Sequence, residues 1–169
     1  MPDYKKLFQD KKQEIENEII KVCEVLEERI KELCPNNRGE GFVGAHGSNN
    51  KYTAIHIYIN ESLPHEMKLR ILFHELGHVK LYEKLGYDEH SRLDSLKNSD
   101  WPIQNEFKAY TNELSESMKR CESGDKNFLI HTLEGFENEV NHGVSPYHKD
   151  ALRKLRAEKI WQNGLDLVK

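Results

Sequence analysis

"ILFHELGHVKLY", Ile71 to Tyr82, sets His74 and His78 four residues apart, with Glu75 directly after the first. Almost every other position in it is apolar. Imidazoles and a carboxylate buried among Ile, Leu, Phe and Val are costly unless something satisfies them. On a helix, residues i and i+4 lie about 40° apart around the axis and about 6 Å along it. His74 and His78 can then converge on one small cation, with ring nitrogens about 2 Å from it. Glu75 is turned about 100° from His74, beside such an ion rather than on it. There it can take a proton from a metal-bound water. The spacing H-E-x-x-H thus encodes two ligands and one general base. The alternative is a helix with two satisfied core histidines and no metal.

The pattern around this stretch predicts a long helix. Ser62 to Pro64 starts it, with Pro64 near its first position, and Gly86 ends it. Ile71, His74, His78, Leu81 and Leu85 project to one side, and Leu69, Leu72, Leu76 and Val79 to the other. A helix apolar on both sides is central and buried.

Upstream, "KYTAIHIYIN" (Lys51 to Asn60) alternates and is rich in β-branched and aromatic residues, the signature of a strand. Thr53, Ile55, Ile57 and Ile59 share one of its faces. "GFVGAHGSNN" before it can supply an antiparallel partner through a Gly/Asn turn. "GEGFVG" (Gly39 to Gly44) matches G-x-G-x-x-G, but a helix end precedes it and a strand-like run follows. A dinucleotide site needs the reverse order, so these glycines are expected to shape a loop or hairpin. Further upstream, Leu7, Ile15, Ile19, Val22, Leu26, Ile30 and Leu33 recur at helical intervals, which predicts one helix over 3–34.

Downstream, "GYDEHSRLDSLKNSD" reads as a polar connection. "WPIQNEFKAYTNELSESMKR" predicts a second strong helix with Pro102 near its start, broken at Gly124. A further helix is expected from Phe128 to about Val140 and a last one from about Lys149 to Trp161, within C-terminal helices spanning 126–162. Together the pattern predicts an α+β fold. It is a mainly helical single domain over 1–169, with a small antiparallel sheet beside the H-E-x-x-H helix. The N-terminal and C-terminal helices would pack on a core spanning 51–120.

The chain has 169 residues, 32 % of them charged and 37 % hydrophobic, as expected of a polar-surfaced globular protein with a real core. A formal net charge of −4, with no basic run, disfavours direct nucleic-acid binding. No stretch approaches the roughly 20 apolar residues of a membrane span, and no secretion signal is visible. Cys23, Cys34 and Cys121 form no C-x-x-C pair and no disulfide framework, which points to a reducing compartment, by default the cytoplasm.

A catalytic zinc site uses three protein ligands and leaves a fourth position to water. The extension H-E-x-x-H-x-x-G-x-x-H would need a glycine at position 81 and a histidine at position 84, where the chain has Leu81 and Lys84. A carboxylate on the following helix is the main alternative. Glu106, with the small Ala109 one turn on, is the leading candidate and Glu113 the rival. His90 and Asp94 are weaker.

"INESLPHEMKLRILFHELGHVKLY" followed by "NEFKAYTNEL" resembles the ImmA/IrrE family of zinc metallopeptidases. Those chains run from a short strand through I-N to an HELGH helix, then to an E-x-x-A helix. The resemblance covers about Lys51 to Met118. After Ala109 it departs, with Tyr110, Thr111 and Asn112 in place of an aromatic and a second alanine. It implies zinc held by His74, His78 and Glu106, with Glu75 as the base. It also implies a protein or peptide substrate, which in that family includes transcriptional regulators.

The expected chemistry is zinc-assisted hydrolysis of a peptide bond, with the strand Lys51 to Asn60 pairing with an extended substrate. Tyr110, His142, Tyr147 and His148 are candidate donors to the developing oxyanion. A zinc-binding protein that is catalytically silent or latent, acting through a protein partner, is the competing function.

Overall fold

The computed structural model describes all of residues 1–169. Eight helices and a small three-stranded sheet make a mainly helical α+β fold, as the patterning predicts. The chain packs into two compact units, Met1–Leu93 and Asp94–Lys169.

In the first unit, the single helix expected over 3–34 is replaced by three elements. Helix α1 (Tyr4–Ile15) starts at Asp3, whose side chain accepts from the Lys6 N–H. Asn17 then turns the chain, its side-chain oxygen accepting from the N–H groups of Ile19 and Ile20 at 2.8 Å each. Strand β1 (Ile20–Val25) and a short helix α2 (Glu27–Leu33) follow. The reason is non-local. β1 lies parallel to β3 (Lys51–Asn60), running from Ile20 opposite Ile55 to Val25 opposite Asn60. Ile20 and Val22, two apart, are both buried. A short apolar run that fits both periods is settled by the partner strand, not by its own spacing.

Strand β2 (Gly41–Ser48) pairs antiparallel with β3 through Asn49 and Asn50, whose φ values are 52° and 58°. Positive φ at both central residues gives a two-residue hairpin turn the twist that matches its strands. The sheet order is β1-β3-β2, so the sheet is mixed rather than purely antiparallel, and β3 is its central strand.

Ile55, Ile57 and Ile59 of β3 join Phe8, Ile20 and Val22 in one apolar cluster with Leu72, Leu76 and Val79 of α3 (His65–Leu85). Each such side chain contributes about 1.5–3 kcal/mol when fully buried. Two polar devices set where α3 begins and how it docks. Asn60 donates to the Gly39 carbonyl at 2.9 Å and accepts from the Ser62 N–H at 3.0 Å, turning the chain out of β3. Lys68 pairs with Glu24 of β1 at 2.7 Å. Gly86, with φ 82°, ends the helix as expected.

The expected polar connection holds a short helix, α4 (Tyr87–Asp94). Asp88 and Glu89 in its first turn complement the helix dipole, and His90 gives it a buried side. The three cysteines are free thiols. Burial pushes the Cys23 thiol up, away from nucleophilic reactivity.

The second unit is all helical: α5 (Trp101–Glu122), α6 (Lys126–His142), α7 (Pro146–Arg156) and α8 (Lys159–Val168). Tyr110 and Leu114 of α5 pack with Leu129, Leu133 and Phe136 of α6, Ala151, Leu152 and Leu155 of α7, and Trp161 of α8. The last helix, expected as one piece over 149–161, is two. The Ala157 and Glu158 N–H groups bond back three residues, to Lys154 and Leu155, which tightens and ends α7. No Gly or Pro marks that break, so local sequence does not announce it. No helix is long and apolar enough to cross a membrane.

Candidate metal centre

The face of α3 opposite Leu72, Leu76 and Val79 is set by those anchors, because they leave the helix no freedom to rotate on the sheet. His74 and His78 project from it with ring centroids 5.1 Å apart and planes at 78°. His78 is buried and His74 half-buried. One turn on, the Tyr82 ring lies 6.1 Å from His78 and is nearly parallel to it. His90 of α4 stacks on Tyr82 with ring centroids 3.7 Å apart. The Tyr52 hydroxyl closes this stack, bonding His90 Nδ1 at 2.9 Å and donating to the Tyr82 carbonyl at 3.2 Å. His78 is therefore backed by a packed aromatic column rather than by mobile side chains. Rigid support of this kind is what a ligand needs to keep its geometry.

Glu75 is only 6 % exposed. Strand β2 passes close by at Gly41. A Cβ added there would lie 2.8 Å from Ile71 Cγ2, 2.8 Å from the Tyr58 carbonyl oxygen and 3.5 Å from Glu75 Oε1. Only a residue without a side chain lets the strand run this near the helix. Gly41→Ala is accordingly expected to force β2 away from α3 and lower stability by about 1–3 kcal/mol, read as a shift in the denaturation midpoint. An unshifted midpoint would mean that the strand yields freely.

In the second unit, Glu106 lies on α5 one turn before Tyr110. His148, on α7, meets both: its Nε2 is 3.6 Å from Glu106 Oε1, and its Nδ1 is 2.6 Å from the Tyr110 hydroxyl. Ser145 caps α7, its Oγ accepting from the His148 N–H. Pro146 occupies the first turn, where its missing N–H leaves no bond unmade.

His74, His78 and Glu106 form a candidate metal-binding group, their ligand atoms all lying within 4.8 Å of one another. Tetrahedral ligands about 2.1 Å from a zinc ion sit about 3.4 Å apart, inside the 4.8 Å that spans this group. Two imidazole nitrogens and one carboxylate oxygen suit zinc, and three ligands leave a fourth position open.

Compared with known proteins, the chain matches no family model, no curated protein and no solved structure.

The other residues singled out from the sequence have distinct surroundings. Glu113, the rival third ligand, is buried on α5 outside this group. Asp94 accepts from the Trp101 indole N–H at 2.7 Å, and His90 belongs to the aromatic column. Tyr110 is buried, its hydroxyl engaged by His148. His142 ends α6 and Tyr147 opens α7, both with exposed side chains. The strand expected to pair with substrate, β3, has both edges already occupied by β1 and β2. The edge without a strand partner beside Glu75 is that of β2. Gly41 was legible only as one of a cluster of glycines, and the Tyr52–His90–Tyr82 column had no local signal at all.

Proposed function

We propose that this chain is a zinc-dependent endopeptidase of the type its H-E-x-x-H helix resembles. The observation that carries the reading is the proximity of His74, His78 and Glu106. A buried Glu75 follows the first of these ligands directly. A bound zinc ion would supply Lewis acidity, making water a better acid and a peptide carbonyl a better electrophile.

The remaining work falls to the chain. Glu75 takes a proton from the attacking water as its oxygen bonds to the carbonyl carbon. It then delivers that proton to the departing amide nitrogen as the C–N bond breaks, leaving a carboxylic acid and an amine. The burial of Glu75, which limits its contact with bulk water, strengthens these interactions. An extended peptide can add to the outer edge of β2, whose backbone groups bond any sequence and whose Gly41 brings the strand to Glu75. A substrate taken as an extended segment fits an intracellular protein such as a transcriptional regulator, cut in a flexible stretch.

Metal analysis of the purified chain, paired with turnover of a mixed-sequence fluorogenic peptide library, tests the reading. One zinc per chain is expected, with cleavage abolished by a chelator and restored by added zinc. A chain that holds no zinc after dialysis against it would refute the metal site. A chain that holds zinc without cleaving any peptide would instead favour a silent zinc-binding role.

A further inference from the structure

We propose that His148, oriented by Tyr110, is the positioning residue that holds the Glu106 carboxylate in its ligating pose. The inference rests on the metal-site reading above and adds to it a residue from outside the stretch that resembles the peptidase family.

The polarity of the contact follows from elementary electrostatics. Nε2 of His148 faces a carboxylate oxygen at 3.6 Å. A bare nitrogen lone pair there would oppose the negative oxygen, so the proton belongs on Nε2. In the neutral ring Nδ1 then has only a lone pair to offer, and the Tyr110 hydroxyl must donate to it across 2.6 Å. Protons therefore point one way, from Tyr110 O–H through the imidazole to Glu106. Tyr110 and His148 are each held by contacts other than Glu106. Glu106 and Tyr110 are four residues apart and share a face of α5. The Tyr110 ring is fixed edge-on against Phe136 at 5.2 Å. His148 sits in the first turn of α7, its N–H held by the Ser145 cap.

A carboxylate has two oxygens and a long flexible stem, and a single ligand atom is useful only if the group does not swing. An N–H beside Oε1 leaves Oε2 for a cation and restricts rotation about the last side-chain bond. Outer partners of ligating groups act in this way, and losing one weakens metal binding about 10- to 100-fold.

Zinc affinity of the full chain, measured by competition with a chromogenic chelator, separates this proposal from the reading beneath it. The wild type should bind one zinc tightly, and Glu106→Ala should lose that binding. Failure of either result overturns the metal site and the proposal with it. Where both hold, His148→Ala should bind zinc about 10- to 100-fold more weakly. Tyr110→Phe should weaken it by a smaller factor, and the double variant no further than His148→Ala alone. The visible spectrum of the cobalt-substituted protein should shift in His148→Ala, while the metal-free melting temperature stays close to that of the wild type. If His148→Ala does not fold, Tyr110→Phe, which removes a single hydroxyl, decides the matter. Wild-type zinc affinity in His148→Ala, or in Tyr110→Phe when that variant decides, would overturn the positioning role and leave the metal site standing.

Discussion

Glu75→Gln is expected to keep its zinc and to lose peptide cleavage by about 10²- to 10⁴-fold, the usual contribution of a general base. The amide has the shape of the carboxylate but no basicity, so it can occupy the same buried place without taking a proton from water. Glu75 is adjacent to His74 in sequence and turned well away from it around the helix, so its loss removes no ligand. Zinc content by elemental analysis and turnover of the fluorogenic library on the same sample are the two readouts. Zinc lost together with activity would make Glu75 a ligand, and unchanged turnover would remove it from the chemistry.

Glu106→Ala is expected to release the metal almost completely, with turnover falling to background, whereas Glu113→Ala keeps both. The two carboxylates lie seven residues apart on α5, close to one face, and both are candidates by spacing. Burial does not choose between them, since Glu113 is the less exposed at 5 %. The distinction is positional, because only Glu106 belongs to the group with His74 and His78. Zinc retained in Glu106→Ala and lost in Glu113→Ala would reverse the assignment. Two ligands alone hold zinc poorly, and a structural or catalytic site needs the third.

Several features were legible because they are local. Helix α3, its start near Pro64 and its end at Gly86 follow from caps and from the 3.6-residue repeat. The hairpin of β2 and β3 follows from the alternation of Lys51 to Asn60 and the Gly/Asn turn before it. Other features were not. Residues 20–25 carry a helical spacing of apolar side chains and still form a strand, because pairing with β3 outweighs the weak preference of a short run. The eight-residue α4 lacks a strong apolar repeat and depends on one buried histidine. The break between α7 and α8 has no glycine or proline to signal it.

The same division runs through the site. Sequence alone determined that, on a helix, His74 and His78 can share one cation and that Glu75 stands beside them, because helical geometry fixes the angle between these positions. It also made a carboxylate on the next long helix, Glu106 ahead of Glu113, the leading candidate for the third ligand. Only the tertiary structure decided that Glu106 joins the group, that Gly41 brings β2 against Glu75, and that His148 bridges Glu106 and Tyr110. The physical reason is range. Helical geometry relates neighbours in the chain, whereas Gly41 and Glu75, or Tyr110 and His148, are separated by more than thirty residues and meet only when packing brings their elements together.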